Sequence, residues 1–162
     1  MLPNGLHYEH TILSLNNQRH VICEKPMALK KSHCAEMINC AEKNNCRLFI
    51  VKQNRFNPPV VKVKELIESK KLGKIFNIHM NCFWNRNEDY YHNSWKGSLD
   101  MDGGTLYTQF SHFIDLLYYL FGDFKISYGS RKNYTHSKII DFEDSGACVL
   151  DFDSGAIGSL NY

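Results

Sequence analysis

The sequence lacks the features that would place it at once. No apolar run approaches the roughly 20 residues that span a bilayer. The N-terminal MLPNGLHYEH has neither a basic start nor an apolar stretch, so no signal peptide is expected. Six cysteines stand at 23, 34, 40, 46, 82 and 148, none in a C-x-x-C pair. That excludes a zinc knuckle and a dithiol redox motif, and free thiols in a reducing cytoplasm are expected. Charge of one sign is also missing. A net charge of +2 with no basic stripe gives nucleic acid or an anionic membrane nothing to hold. No ligand spacing supports a metal role for His7, His10, His20, Cys23 or His112. What is present is core material: 43% hydrophobic residues over 162 positions exclude disorder and suffice for one domain or pieces of two.

The first third alternates helix and strand. Leu6 to Leu15 reads as a helix with Tyr8, Ile12 and Leu15 on one face. His20 to Glu24 reads as a short strand, ended by Pro26. A second helix is expected from Ser32 as cap, with Cys34, Met37, Ile38 and Ala41 at helical spacing. Arg47 to Val51 is a continuous apolar run, expected to be a strand buried on both faces. This is the rhythm of a Rossmann-type, doubly wound parallel sheet.

The remainder differs. Asn57-Pro58-Pro59 opens a helix with Val60, Val63 and Ile67 toward the core. A long strand is expected over 74–84, a polar and aromatic loop over 85–102, and a helix over 105–121. Strands near 125–133, 144–152 and 156–162 follow, the last two joined by Asp153-Ser154-Gly155. The fold class is therefore α/β, turning α+β in its second part: the end of a Rossmann-type sheet over 1–53, then a domain with an open, largely antiparallel sheet over 54–162. A first helix with no strand before it, and Tyr162 inside a strand, predict a piece of a larger two-domain protein. An unpaired sheet edge is expected near Tyr162, inviting another chain.

Two residues stand out chemically. On a helix over 105–121, Phe110, Ile114, Leu117 and Phe121 form one stripe. Thr108, His112, Asp115 and Tyr119 form another on the opposite face. A histidine with a carboxylate at i+3 can hold one imidazole tautomer, so His112 is a candidate general acid or base. An ordinary solvated helix back explains the same stripe. Lys25 follows an apolar strand, at the end where open α/β sheets bind ligands. A lysine there, partly desolvated, can work near neutrality, although a surface lysine at a turn reads the same way.

Pro3-Asn4-Gly5-Leu6-His7, then Glu24-Lys25-Pro26 after an apolar strand, then Gly103-Gly104 with Ser111-His112-Phe113-Ile114-Asp115 about 80 residues later, resemble the Gfo/Idh/MocA family of NAD(P)-dependent oxidoreductases over essentially the whole chain. Trp84-Asn85-Arg86, Tyr90-Tyr91 and Trp95-Lys96-Gly97 are most similar to its nucleotide-sugar dehydrogenases, which act on UDP-N-acetyl-hexosaminuronic acids in surface polysaccharide synthesis. The resemblance implies Lys25 and His112 as catalytic residues. It implies Asn4, His7, Glu24 and Lys25 at the cofactor, NAD or NADP. It implies Arg55, Tyr91, Trp95, Thr108 and Asp115 toward the sugar, and a homodimer or homotetramer built on the C-terminal sheet.

Two departures qualify it. The family's G-x-G-x-x-G loop is absent, so weak or no cofactor binding by this chain is expected. Thr108 stands where the family usually has Asp or Asn; a hydroxyl bonds but holds no charge. The alternative to a dehydrogenase is a non-catalytic remnant, an oligomerisation or sugar-binding domain.

Overall fold

A computed structural model describes residues 2–162. The chain forms two compact units. The first comprises residues 2–51, Glu88–Ser111 and Lys138–Phe142; the second comprises Lys52–Asn87, His112–Ser137 and Glu143–Tyr162. Among the described residues no helix is long and apolar enough to cross a membrane. All six cysteines are free thiols.

In the first unit a 3-10 turn, Asn4–Leu6, leads into helix α1, His7–Asn16. Strand β1 (Val21–Cys23), helix α2 (Lys31–Lys43) and strand β2 (Leu48–Ile50) follow. The strands pair in parallel, Val21 opposite Leu48 and Cys23 opposite Ile50. Side chains alternate across a strand. Val21, Cys23, Leu48 and Ile50 therefore face a core of Ala28, Met37, Tyr8, Ile12 and Cys34.

The other face corrects one expectation: Ile22 is 77% exposed and Phe49 52% exposed, so the Arg47–Val51 run is not buried on both sides. Two further corrections fall on α2. Its cap is Lys30, in extended conformation and without a side-chain hydrogen bond, and Ser32 lies inside the helix. Ile38 is exposed while Met37 and Ala41 are buried, because the covered stripe of α2 is narrower than its apolar sequence.

In the second unit, α3 (Pro58–Glu68) starts with proline in its first turn, where the missing N–H costs nothing. Val63 proves exposed. Lys64 is the half-buried residue one turn after Val60, and its ammonium donates to the Tyr119 carbonyl at 2.8 Å while lying over the Tyr119 ring. Strand β3 is confined to Asn77–Asn81, shorter than the expected 74–84. In the loop after it, Glu88–Tyr91 forms one helical turn, α4. Helix α5 runs Ser111–Phe121, six residues later than expected, and the stripes drawn through Thr108 and Phe110 do not belong to one helix. Nor is the back of α5 solvated: only Tyr118 is exposed.

Strands β4 (Phe124–Lys132), β5 (Ser145–Phe152) and β6 (Ile157–Asn161) lie close to expectation. The sheet order is β3-β6-β5-β4, with β3–β6 parallel and the other pairs antiparallel. This overturns the expected open edge near Tyr162. Strand β6 is internal, and Tyr162 exchanges backbone hydrogen bonds with Gly146, both at 2.9 Å. Tyr162 is buried, and its hydroxyl donates to the buried Glu143.

The hairpin between β4 and β5 is tied by Asp144. Partial burial disfavours its charge, but donation from Tyr134 N, His136 and Thr135 outweighs this and holds the carboxyl well below the usual carboxylate range.

Leu150, Phe152, Leu160, Ile78, Leu116 and Leu117 are buried, and the rings of Phe121 and Phe152 meet edge to face at 6.0 Å. Leu150 is fully buried at the middle of β5, whereas Val149 is 42% exposed on the opposite face. Leu150→Ala should therefore cost about 2–5 kcal/mol of stability. Val149→Ala should cost less than about 1 kcal/mol. Urea denaturation midpoints of the two variants measure the difference.

Candidate active site

The first unit holds a cavity of about 500 Å³, of the size usual for a small-molecule site. It opens at the carboxyl end of β1, where Glu24 and Lys25 extend beyond the strand. Asn4 and His7 reach it from the 3-10 turn and the first turn of α1. Tyr90, Trp95 and Lys96 line it from α4 and the loop that follows, and Asp102 and Thr108 from the segment before α5. Six of the expected site residues are thus gathered here: Asn4, His7, Glu24, Lys25, Trp95 and Thr108. Tyr90, rather than Tyr91, lines the cavity. Tyr91 sits against Gly97 and meets Tyr90 edge to face at 5.0 Å.

The Lys25–Pro26 peptide is cis. The Lys25 ammonium donates to the Thr108 carbonyl at 3.0 Å, and the Ser111 hydroxyl donates to the same oxygen at 3.0 Å. The Thr108 hydroxyl is turned to the Gly104 carbonyl at 3.2 Å. Lysine and threonine are therefore linked through the backbone, not through the hydroxyl. The Glu24 side chain, exposed, accepts from Lys25 N at 3.3 Å. The buried His7 holds Nδ1 2.7 Å from the Pro26 carbonyl. A carbonyl only accepts, so Nδ1 carries the proton and a neutral ring keeps Nε2 as an acceptor.

Asp102 was not among the expected site residues. It is 3% exposed. Its Oδ2 accepts from Gly97 N at 2.9 Å, and Asn4 Nδ2 donates to its carbonyl at 2.9 Å. Burial pushes its carboxyl above the usual range, against the Gly97 hydrogen bond and the charges of Lys96 and Lys25. The signal available in the sequence was its place directly before Gly103-Gly104. Gly103 has φ +89°, and a Cβ there would stand 2.3 Å from Leu29 Cδ2, the close approach that a glycine pair allows.

His112, Asp115 and Arg55 belong to the second unit. His112 is buried in the first turn of α5. Asp115, one turn on, is gripped by Arg55 on both oxygens, Nε to Oδ2 at 2.8 Å and Nη2 to Oδ1 at 2.6 Å. Lys52 adds a third contact at 3.8 Å. The Arg55 guanidinium also lies 4.9 Å over the Tyr119 ring. Hydrogen bonding to Asp115 pushes Arg55 above its ordinary value, against a smaller effect of burial. Arg55 and Asp115 thus form a bidentate pair that ties residues 53–56 to α5. Among the described residues no three His, Cys, Asp or Glu side chains gather so as to hold a metal ion.

A parallel βαβ start with a cavity at its strand ends, followed by a four-stranded mixed sheet, is the arrangement of an oxidoreductase family with an NAD-binding Rossmann fold, whose profile matches residues 1–52. The Gfo/Idh/MocA C-terminal domain matches residues 60–162, and the chain belongs to the Gfo/Idh/MocA family. Its fold is similar to that of the WlbA dehydrogenase from Bordetella pertussis, solved with NADH and UDP-GlcNAcA. The two share 37% identity at a TM-score of 0.93, covering 98% of this chain and 49% of that one. The corresponding enzyme from Chromobacterium violaceum, also with NADH and UDP-GlcNAcA, is 36% identical with a TM-score of 0.90, over 98% of this chain and 46% of that one. A curated relative, the 1-carboxy-3-chloro-3,4-dihydroxycyclohexa-1,5-diene dehydrogenase of Comamonas testosteroni, is 28% identical over 99% of this chain and 40% of its own length. The chain spans less than half of each of these proteins.

Gly103→Ala combines a left-handed backbone with a collision. It should cost roughly 2–4 kcal/mol. Gly73, at φ +66° in open space, should cost only roughly 1 kcal/mol on the same replacement. Thermal unfolding of the two variants distinguishes them.

Proposed function

We propose that this chain serves a dehydrogenase that moves a hydride between a hydroxyl-bearing carbon of a sugar or nucleotide sugar and NAD(P), with UDP-N-acetyl-hexosaminuronic acids of polysaccharide synthesis as the substrate class. The observation that carries this reading is the Lys25 ammonium, fixed by the Thr108 carbonyl inside the cavity at the end of β1. The cavity's chemistry fits a nicotinamide and a sugar hydroxyl. Asn4, His7 and Glu24 offer polar groups on the β1 side, and Tyr90 and Trp95 offer the flat apolar faces that sugars pack on. The cofactor, when bound, supplies the hydride acceptor.

The protein's share is proton handling and placement. Oxidation removes a hydride from carbon and a proton from its hydroxyl. Lys25, as the neutral amine, or the neutral His112 imidazole takes that proton as the C=O bond forms. The Thr108 carbonyl keeps Lys25 in one position, so its donor geometry is set before substrate arrives. The Arg55–Asp115 pair fixes the helical turn that bears His112. Six free thiols are in keeping with a reducing cytoplasm.

In a full-length protein that carries the G-x-G-x-x-G loop, Lys25→Ala and His112→Ala should each lower kcat by roughly 10²–10⁴, the usual worth of positioned acid–base help. NADH formation from a UDP-hexosaminuronic acid measures it, with circular dichroism to confirm folding. Near-normal turnover in either variant would remove that residue from the mechanism.

The outer face of the sheet supports assembly into a homodimer or homotetramer. Tyr128 and Val149 are paired across β4 and β5, and Tyr128, Val149 and Ile157 are 70, 42 and 55% exposed. One face of an antiparallel sheet is either solvated or covered by a partner. Sedimentation should show a dimer or larger; a clean monomer at high micromolar concentration would refute the assembly.

A further inference from the structure

We propose that Lys96 is the specificity residue of the cavity, selecting ligands that carry a carboxylate on the sugar over their neutral counterparts. This rests on the sugar-binding reading above and assigns a role to a side chain that reading leaves unused.

The placement of Lys96 is built, not incidental. It lines the cavity, half-buried, with its ammonium 3.9 Å over the Tyr90 ring. The backbone that carries it is pinned on both sides. Lys96 N donates to the Ser94 hydroxyl at 3.3 Å, and Gly97 N donates to the buried Asp102 carboxylate at 2.9 Å. Asp141 N donates to the Gly97 carbonyl at 2.9 Å, and Asp102 N to Ser98 O at 2.8 Å. Gly97 itself has φ +86°, and a Cβ there would lie 2.9 Å from Ile140 Cγ2. The turn therefore accepts only glycine, and the lysine before it is held in one place.

The charges around it leave it available to an anion. Lys25 is committed to the Thr108 carbonyl. Asp102 has its Oδ2 on a backbone N–H, and burial disfavours its charge. Glu24, the other carboxylate on the cavity, is exposed beyond β1 and accepts from Lys25 N. Among the described residues no carboxylate lies within 4.0 Å of the Lys96 ammonium. The Tyr90 face steadies the cation without using its N–H donors. Those donors meet a carboxylate as charge-assisted hydrogen bonds, about twice as strong as those to a neutral hydroxyl. A phosphate would call for a second cation or a run of backbone N–H groups, and Lys25, the other ammonium on the cavity, is held by the Thr108 carbonyl. A carboxylate matches Lys96 one to one.

Saturation-transfer NMR with methyl β-D-glucuronide and methyl β-D-glucoside isolates the carboxylate, since the two differ only there, and it needs no turnover. The wild-type protein should bind the glucuronide at least roughly tenfold more tightly, the worth of one such interaction. Lys96→Met should abolish the preference, bringing glucuronide binding to the glucoside level. Lys96→Arg should keep most of the preference. Equal binding of the two sugars by the wild type, binding of neither, or a preference that survives Lys96→Met would each overturn the assignment. Glucose 6-phosphate bound more tightly than the glucuronide would overturn the choice of a carboxylate. Selective, Lys96-dependent binding, alongside a full-length protein with the glycine-rich loop that forms no NADH from any uronic acid, would sustain this assignment and defeat the dehydrogenase reading.

Discussion

The first unit depends on one buried carboxylate. Asp102 lies about 100 residues from Asn4 in the chain, yet the Asn4 amide, the Gly97 N–H and the Asp102 backbone all meet at this point. Gly5 N adds a hydrogen bond to the Met101 carbonyl at 2.9 Å. Removing a carboxylate from water is unfavourable unless its oxygens are satisfied. That penalty makes the arrangement selective: the 97–102 turn closes with the Gly97 N–H on the Asp102 carboxylate. Once closed, it holds Trp95, Lys96 and the Gly103 approach to Leu29 in place. The cavity wall follows from satisfying one buried charge.

The second unit has a different governing constraint, a sheet with one apolar face. Leu150, Phe152 and Leu160 are buried, and Phe121 of α5 meets Phe152 edge to face. Covering the sheet fixes the rotation of α5 about its own axis. Helical geometry then decides where His112 and Asp115 point, since residues three and four apart share a face. The Arg55 fork on Asp115 reinforces the same orientation from the 53–56 turn.

Much of this was legible in the sequence where the signal was local. Strands β4 to β6 declared themselves by alternation, and the Asp153–Gly155 turn by its composition. Glu24-Lys25-Pro26 announced the end of β1. The failures have physical reasons. Apolar spacing continues upstream of α5 through Phe110, so periodicity alone extended the helix, although Gly103 and Gly104, both at positive φ, are followed by irregular turns. The position of Tyr162 depended on a parallel pairing of β3 with β6, and register across some 80 residues leaves no local trace. Phe49 looked buried because the sequence reports apolarity, not which face is covered. Asp102 has no local signature for a related reason: its importance comes from the turn it closes onto Gly97 and not from residue type, and Lys96 shows in the sequence only as the middle of Trp95-Lys96-Gly97.

The partners of Asp102 and Asp115 narrow the chemistry that remains. In the first unit Asp102 accepts from neutral N–H donors, and burial weakens its hold on a charge. In the second, Asp115 is compensated by a guanidinium on both oxygens and by Lys52 beyond it. A carboxylate engaged so fully has no lone pair suitably placed to take a substrate proton, because using it would break an ion pair that holds α5. Neither aspartate is therefore placed as a base: one shapes the cavity wall and the other steadies a helix. Thr108, whose hydroxyl is spent on the Gly104 carbonyl, adds no base either. Under the proposed hydride transfer the proton falls to Lys25 and His112, and the absence of a charged residue at Thr108 is offset by a backbone carbonyl that holds the lysine without competing for the proton.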